Sequence, residues 1–205
     1  MTSPSDAPAG RALVLVGPMG AGKSSIGRRL ARELGVPFRD TDTEIAKAHG
    51  PIAEIFAVHG EARFRDLEHE AVLDAVTCGG VVALGGGAVL HAGTREALRA
   101  HHVVLLTVDE RVVAGRIRSQ KRPLLNAAQD PVAEWIRIRD ERAPIYREVA
   151  DAAFDTSRGP LQDVVTAIAA WARARQDPSG RETPTGTDAH VLDEFRGQDQ
   201  KESSR

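Results

Sequence analysis

Residues 17–24 read GPMGAGKS, which matches the pattern G-x-x-x-x-G-K-[ST], and this stretch decides the fold class of the 205-residue chain. An apolar run at residues 12–16 precedes it and is typical of a short buried strand. The stretch 24–34 follows it and places Ile26, Leu30 and Leu34 on one face of a helix. A strand, a glycine-rich turn and a helix in this order are the setting of a P-loop. The sequence therefore predicts a site that binds the phosphates of a nucleotide.

Each residue type in this stretch has a physical reason to contact phosphate. Glycine lets the backbone turn so that successive N–H groups point at phosphate oxygens, and the following helix adds the positive end of its dipole. We expect the Lys23 ammonium to reach the β and γ phosphates and the Ser24 hydroxyl to ligate Mg²⁺. The residues of this stretch predicted to bind ATP are Gly20, Ala21, Gly22, Lys23, Ser24 and Ser25.

Strand-like and helix-like segments alternate along the rest of the chain. We predict strands at residues 12–16, 36–40, 81–84, 103–108 and 152–155. We predict helices at residues 24–34, 44–59 with a break at Gly50-Pro51, 61–77, 94–100, from about 111, 135–149 and 161–175. This alternation favours parallel strands joined by right-handed crossovers. The predicted fold is therefore an α/β, P-loop three-layer sandwich, in which a five-stranded parallel sheet is covered by helices on both faces, plus a mobile lid.

The two ends of the chain differ in composition from the middle. Residues 1–10 are rich in Pro, Ser, Ala and Gly without periodicity, so we expect a flexible leader. Residues 177–205 are mostly polar, and we expect a disordered tail there, with a partner-binding peptide as the alternative. The predicted P-loop domain occupies residues 11–176, with its lid at about residues 112–127.

Composition and charge limit the function classes. The chain is 41% hydrophobic, and 27 basic residues nearly balance 29 acidic ones, so its charge does not indicate nucleic acid or an anionic membrane as a partner. The single cysteine, Cys78, excludes an intrachain disulfide, and we expect it to be buried or half-buried on a helix. Neither a signal peptide nor an apolar run of roughly 18 to 20 residues is visible. We expect a soluble, cytoplasmic monomer.

Two carboxylates, Asp40 and Asp42, follow the predicted strand at residues 36–40. Ligands of parallel sheets bind at the carboxyl ends of the strands, so we expect this pair to face the P-loop. Alternate positions on an extended strand end point the same way, which would direct both acids into one pocket. One acid could then hold the metal through water while the other orients an attacking hydroxyl. The alternative for Asp42 is a helix N-cap, and both roles could coexist.

The series of motifs, taken together, resembles the shikimate kinase family. It consists of the P-loop, DTD at residues 40–42, FR at 64–65, LGGG at 84–87, RPLL at 122–125 and RAPIY at 142–146. The resemblance spans residues 11–171, and the last three motifs are more specific than the P-loop alone. It implies transfer of the γ-phosphoryl group of ATP to the 3-hydroxyl of shikimate, with Mg²⁺, in the biosynthesis of chorismate and the aromatic amino acids.

The resemblance also implies roles for the acids and for the substrate-binding residues. Asp42 would bind substrate hydroxyls and be the candidate base, and Asp40 would lie in the shell of the Mg²⁺ ion. Arg65 and Arg142 would hold the substrate carboxylate, a task that suits the planar guanidinium group. The backbone of Gly86 would approach a substrate hydroxyl. The aromatic residues that would line the substrate pocket are Phe56 and Phe64.

On the nucleotide side, the resemblance implies three arginines. Arg122 would be the lid residue that closes over the phosphates and stabilises the charge of the transition state. Arg116 and the turn at Arg158 would lie near the adenine. We also expect Glu68, one helical turn after Arg65, to form an ion pair with it.

Three alternatives stay open from the sequence. Gluconate kinases and nucleoside monophosphate kinases share the P-loop, the crevice and the lid. A nucleotide-binding regulatory protein that has lost catalysis would belong to a different class. The basic stretch at residues 111–122 could bind nucleic acid, although no aromatic residue is interleaved for base stacking.

Overall fold

A computed structural model describes residues 10–117 and 130–176. Its centre is a five-stranded parallel sheet with the order β2-β3-β1-β4-β5. The strands are β1 Leu13–Val16, β2 Phe38–Asp40, β3 Val81–Ala83, β4 His102–Thr107 and β5 Ala152–Asp155. The predicted α/β fold with a five-stranded parallel sheet is therefore confirmed.

Seven α-helices connect and cover these strands within the described residues. They are α1 Lys23–Leu34, α2 Thr41–His49, α3 Ile52–Thr77, α4 Ala92–Leu98, α5 Glu110–Ile117, α6 Pro131–Val149 and α7 Leu161–Gln176. A short 3₁₀ helix, Ala88–Leu90, follows the triglycine turn after β3.

The side chains of β1 alternate between two hydrophobic clusters, one on each face of the sheet. Leu13 and Leu15 pack in the first cluster, with residues of α1 and α7. Val14 and Val16 pack in the second cluster, with residues of α3 and α4. Because successive side chains of a strand point to opposite faces, one short strand contributes to both halves of the core. This is the three-layer arrangement that the sequence predicts.

The strand order brings three connections together at the carboxyl ends. Strand β3 lies between β1 and β2, so the triglycine turn after β3 is flanked by the P-loop on one side and by the start of α2 on the other. The structure thus collects three separate sequence motifs along one edge of the sheet, which is the usual ligand edge of a parallel α/β sheet.

Several local predictions need correction. The helix predicted from residue 44 begins at Thr41, and the strand predicted at 36–40 is limited to Phe38–Asp40. The predicted break between two helical segments at residue 60 is confirmed, because Gly60 within α3 has a non-helical φ of 77°. Cys78 is exposed rather than buried, because it lies just beyond the last residue of α3, where the chain turns at the surface.

Other predictions fall on residues outside the described ranges. These are most of the leader, the tail at 177–205, and the part of the lid that carries Arg122. Within the described ranges, the helices lack the combination of length and apolar character that a membrane span needs.

Candidate active site

A cavity of about 1000 Å³ lies at the carboxyl ends of β1, β2 and β3. It brings together most of the described residues that were predicted to bind ATP, metal or substrate. These are Gly20, Gly22, Lys23, Ser24, Ser25, Asp40, Asp42, Phe56, Phe64, Arg65, Gly86, Arg116 and Arg142. Of the described residues predicted to bind ATP, Ala21 and Arg158 do not line the cavity. Ala21 is fully buried, and Arg158 is exposed on the turn before α7.

The P-loop wall of the cavity is shaped mainly by backbone. Gly22 caps α1 with φ 88°, a conformation in which a side chain is disfavoured. The Lys23 ammonium folds back over the loop and donates hydrogen bonds to the carbonyl oxygens of Gly17 at 2.7 Å and Pro18 at 3.0 Å. Ser24 and Ser25, in the first turn of α1, are exposed.

Two side chains from distant parts of the sequence fix the carbonyl groups of the P-loop. The Arg116 guanidinium on α5 donates to the carbonyl of Gly20 at 2.9 Å and to the carbonyl of Thr156 at 3.1 Å. The indole N–H of Trp135 on α6 donates to the carbonyl of Met19 at 2.8 Å, and Trp135 is 1% exposed. Both contacts restrict the loop, because each ties it to another element of the core.

The DTD motif at residues 40–42 forms the junction between β2 and α2. Asp40 is the N-cap of α2, since its carboxylate accepts a hydrogen bond from the Thr43 amide at 3.1 Å. The N-cap alternative considered for Asp42 is therefore wrong, and the cap belongs to Asp40. Asp42 lies in the first helical turn and reaches the cavity from a helix, not from an extended strand end.

Thr41 connects this junction to the triglycine turn. Its side chain is fully buried, and its hydroxyl accepts a hydrogen bond from the Gly85 amide at 3.2 Å. The same hydroxyl lies 3.4 Å from the Ala83 carbonyl, to which it donates. These bonds set the position of Asp42 relative to residues 85–87. This role of Thr41 was not predicted from the sequence, although a threonine between two acids at a strand end was a visible signal.

Close packing explains two of the three consecutive glycines. A Cβ atom on Gly85 would overlap the carboxylates of Asp42 and Glu68, and one on Gly87 would overlap the Arg65 guanidinium. A Cβ atom on Gly86 would meet the Met19 side chain at an ordinary contact distance of 3.6 Å. A side chain at Gly85 or Gly87 would therefore displace the charged ends of Asp42, Glu68 or Arg65.

Arg65 is held by two acids of the same helix. Its guanidinium donates to Glu68 at 2.5 Å and to Glu61 at 2.9 Å. The ion pair expected between Arg65 and Glu68 is thus present. Arg65 is 12% exposed and Glu68 is 2% exposed at their side chains, so this pair is largely removed from water.

Burial raises the pKa of Glu68 to about 7, against the lowering effect of Arg65 and with a smaller raising effect of Asp42. The physical cause is the cost of placing a charged carboxylate in a low-dielectric environment. Glu68 therefore titrates in the neutral range while it contacts the arginine that was predicted to bind the substrate carboxylate.

Arg142 and Tyr146 of α6 share one acceptor. The Arg142 guanidinium donates to the carbonyl of Gly86 at 3.2 Å, and the Tyr146 hydroxyl donates to the same carbonyl oxygen. Arg142 is 8% exposed, which is unusual for an arginine and directs its charge toward the cavity that it lines.

Phe56 and Phe64 are the aromatic residues of the cavity wall. Their ring centroids are 4.5 Å apart, and the Arg65 guanidinium lies 5.3 Å from the centroid of Phe64. The acceptor side of the cavity thus offers an apolar surface beside two arginines and two carboxylates. This arrangement suits a small ligand with a ring, a carboxylate and several hydroxyl groups.

Comparison with known proteins agrees with this geometry. The family model for shikimate kinase matches residues 19–173. A shikimate kinase from Corynebacterium efficiens is 45% identical over 158 residues, covering 76% of this chain and 93% of the relative. One from Streptomyces coelicolor is 46% identical over 158 residues, covering 76% of this chain and 91% of the relative.

Among solved structures, the shikimate kinase from Acinetobacter baumannii in complex with shikimate superposes with a TM-score of 0.76 at 35% sequence identity. The match covers 82% of this chain and 95% of that chain. Since the family model extends from the P-loop into α7 and the relatives match over nearly their full length, the chain belongs to the shikimate kinase family.

Proposed function

We propose that this protein transfers the γ-phosphoryl group of ATP to the 3-hydroxyl of shikimate and releases shikimate 3-phosphate and ADP. The observation that carries the proposal is the division of one cavity into a phosphate-binding wall and an acceptor wall. The P-loop supplies the first wall, and Arg65, Arg142 and Asp42 line the second. A donor and an acceptor bound in the same cavity can react without a bimolecular encounter, which accounts for a large part of catalysis in phosphoryl transfer.

The acceptor wall supports a hydroxylated carboxylic acid. Arg65 and Arg142 would bind the shikimate carboxylate through charge-assisted hydrogen bonds. Phe56 and Phe64 would pack against the ring, and the backbone of Gly86 would lie against a hydroxyl group. Neutral sugars and nucleoside monophosphates would not use this pair of arginines and this apolar surface in the same way.

Asp42 is the proposed base or orienting group for the attacking hydroxyl. Its carboxylate reaches the cavity from the first turn of α2, beside the triglycine turn. Lys23 would leave its carbonyl partners on the P-loop to meet the β and γ phosphates. Arg122 of the proposed lid would add a second positive charge over the phosphates. Positive charge placed where the transferring group becomes negative lowers the barrier to transfer.

The donor chemistry of the cavity fits Mg²⁺. The Ser24 hydroxyl and the Asp40 carboxylate line the same cavity, and both are hard oxygen donors of the type that this ion prefers. Mg²⁺ in kinases keeps several waters and shares its remaining positions with phosphate oxygens, so one hydroxyl and one carboxylate are sufficient protein contributions. When bound, the ion would offset the negative charge of the phosphate groups.

A kinetic panel tests the proposal. Purified full-length protein with ATP and Mg²⁺ would be given shikimate, gluconate, AMP or CMP as separate acceptors, and ADP release would be measured. Of the four acceptors, we expect only shikimate to be phosphorylated. Excess chelator should abolish this turnover, and added Mg²⁺ should restore it. Absence of turnover with saturating shikimate would refute the substrate assignment. Turnover with gluconate or a nucleoside monophosphate would favour the alternative kinases.

The proposal includes a monomer, because one chain contributes both walls of the cavity. It also keeps the cytoplasmic location that was expected from the sequence. Sedimentation of the active protein would test this part. A dimer as the smallest active species would contradict it.

A further inference from the structure

Helix α6 carries a stripe of buried residues that faces the cavity and the core. Trp135, Ile138, Arg142 and Tyr146 are separated by three, four and four positions, the spacing of a single helix face. They are 1%, 7%, 8% and 3% exposed, respectively. Ile138 is an ordinary core residue, and Arg142 is assigned above to the substrate carboxylate. Trp135 and Tyr146 have no assigned role in the reaction.

The two ends of the stripe hold two different walls of the cavity. Trp135 donates its indole N–H to the carbonyl of Met19 in the P-loop at 2.8 Å. Tyr146 donates its hydroxyl to the carbonyl of Gly86 in the triglycine turn, beside the bond from Arg142. The two residues are eleven positions apart, so their Cα atoms are separated by about 16 Å along one continuous helix.

The same helix also joins the two halves of the core. Trp135 packs in the hydrophobic cluster on the α1 face of the sheet, whereas Tyr146 packs in the cluster on the α3 face. Because close-packed interiors are rigid, a helix anchored in both clusters holds its side chains at fixed positions relative to both. The carbonyl groups of Met19 and Gly86 therefore accept hydrogen bonds from the same rigidly packed helix.

We propose that Trp135 and Tyr146 are positioning residues of the phosphoryl transfer: Trp135 fixes the nucleotide wall and Tyr146 fixes the acceptor wall, so that α6 sets the separation of the two. The inference rests on the proposed function. Phosphoryl transfer depends steeply on the placement of donor and acceptor, and neither residue needs to touch a substrate to affect it.

The donor character of both groups is secure over the working pH range. An indole N–H is a donor only. Burial raises the pKa of Tyr146 to about 12, partly offset by the adjacent Arg142, so the hydroxyl stays protonated near neutral pH. Both hydrogen bonds are therefore constant features of the cavity walls.

The test for the acceptor end is Tyr146→Phe, which removes the hydroxyl and keeps the ring in the core. Thr77→Val is the matched control, because the Thr77 hydroxyl also donates to a carbonyl, that of Leu73, at 2.8 Å on an exposed helix end. We expect Tyr146→Phe to raise the KM for shikimate about fivefold to tenfold, since the partly buried Gly86 carbonyl loses one of its two donors. The KM for ATP should stay within about twofold.

The test for the nucleotide end is Trp135→Phe, with Trp171→Phe as the matched control. Trp171 is partly buried and contacts His102 and Arg175 away from the cavity. We expect Trp135→Phe to raise the KM for ATP about fivefold and to leave the KM for shikimate within about twofold. Thermal unfolding of all four variants separates this selective effect from a general loss of stability.

The proposal requires that each variant raises the KM of one substrate and leaves the KM of the other nearly unchanged. It is overturned if Tyr146→Phe leaves both constants at the wild-type value, or raises both in step with a lower Tm. If Trp135→Phe does not fold, Tyr146→Phe decides alone. Failure of the wild-type protein to phosphorylate shikimate would refute the proposed function instead. The nucleotide end would then be judged by direct titration with ATP, where equal affinities of the Trp135→Phe and Trp171→Phe variants would overturn it.

Discussion

The two walls of the cavity are built in opposite ways. The nucleotide wall comes from one continuous stretch, its shape is a property of the backbone, and its two serines are exposed. The acceptor wall is assembled from four separate segments, and its charged residues Arg65, Glu68 and Arg142 are largely buried and paired with one another or with backbone. Asp42 belongs to the acceptor wall, and its carboxylate lies beside Gly85 of the triglycine turn.

The difference reflects what each wall recognises. Phosphate groups are alike in all nucleotides, and a row of backbone amides with one ammonium is enough to bind them. Recognition of one particular small acid needs side chains with fixed conformations. Burial and additional hydrogen bonds or ion pairs hold the side chains in these conformations. We therefore expect variants of the acceptor wall to alter shikimate kinetics selectively, while the nucleotide wall continues to bind ATP.

The largest effect is expected at Asp42, the proposed base or orienting group of the acceptor wall. Asp42→Asn keeps the shape of the side chain but removes the carboxylate that would accept or orient the hydroxyl proton. We expect kcat to fall about 10² to 10⁴-fold, while both Michaelis constants change only a few-fold. The control is Asp66→Asn, at an exposed position of α3, and both variants are measured by steady-state kinetics. A variant with normal kcat would remove Asp42 from the chemical step.

A smaller effect is expected within the acceptor wall. Arg65→Ala removes one of the two proposed carboxylate ligands, and we expect the KM for shikimate to rise about 10- to 100-fold with an unchanged KM for ATP. Arg63→Ala, at an exposed position of the same helix, is the control. Because Arg65→Ala also leaves Glu68 buried without its ion-pair partner, the double variant Arg65→Ala with Glu68→Gln should show the same rise in KM. Equal shikimate kinetics in Arg65→Ala and wild type would contradict the role.

The smallest effect concerns the pH dependence of the acceptor wall. Glu68 has a pKa of about 7, so its carboxylate gains charge and holds Arg65 more firmly as the pH rises through neutrality. We expect the KM for shikimate to fall a few-fold between about pH 6 and pH 8, and Glu68→Gln to flatten this change. If Glu68→Gln keeps the wild-type pH dependence of the KM for shikimate, a group other than Glu68 causes this dependence.

The raised pKa of Glu68 also predicts how the free energy of unfolding changes with pH. The folded pKa of Glu68 lies above its ordinary value of 4.5, so the folded protein binds more protons than the unfolded chain between these values. The contribution of Glu68 to the free energy of unfolding is therefore largest at low pH and decreases as the pH rises toward 7. The difference between wild type and Glu68→Gln, measured by chemical denaturation at several pH values, isolates it from other titrating groups.

Local patterns were enough to predict the elements that depend on neighbours in sequence. The P-loop, its flanking strand and helix, and the ion pair from Arg65 to Glu68 all involve residues within one or two turns of each other. Their geometry follows from helix and turn stereochemistry alone. The start of α2 is more complex. Asp40 and Asp42 both line the cavity, as predicted, but Asp40 is the N-cap of α2, Asp42 reaches the cavity from the first helical turn rather than from an extended strand end, and Thr41 between them is buried.

What the sequence determined by itself is the class of the fold, the phosphate-binding loop and the family, because each depends on a short run of residues or on their order. Only the tertiary structure decided that β3 separates β1 from β2, that Trp135 reaches Met19 across 116 positions, and that Glu68 is buried enough to titrate near pH 7. These features depend on which distant segments pack together. Packing is set by the shape and burial of the whole core, which no local pattern contains.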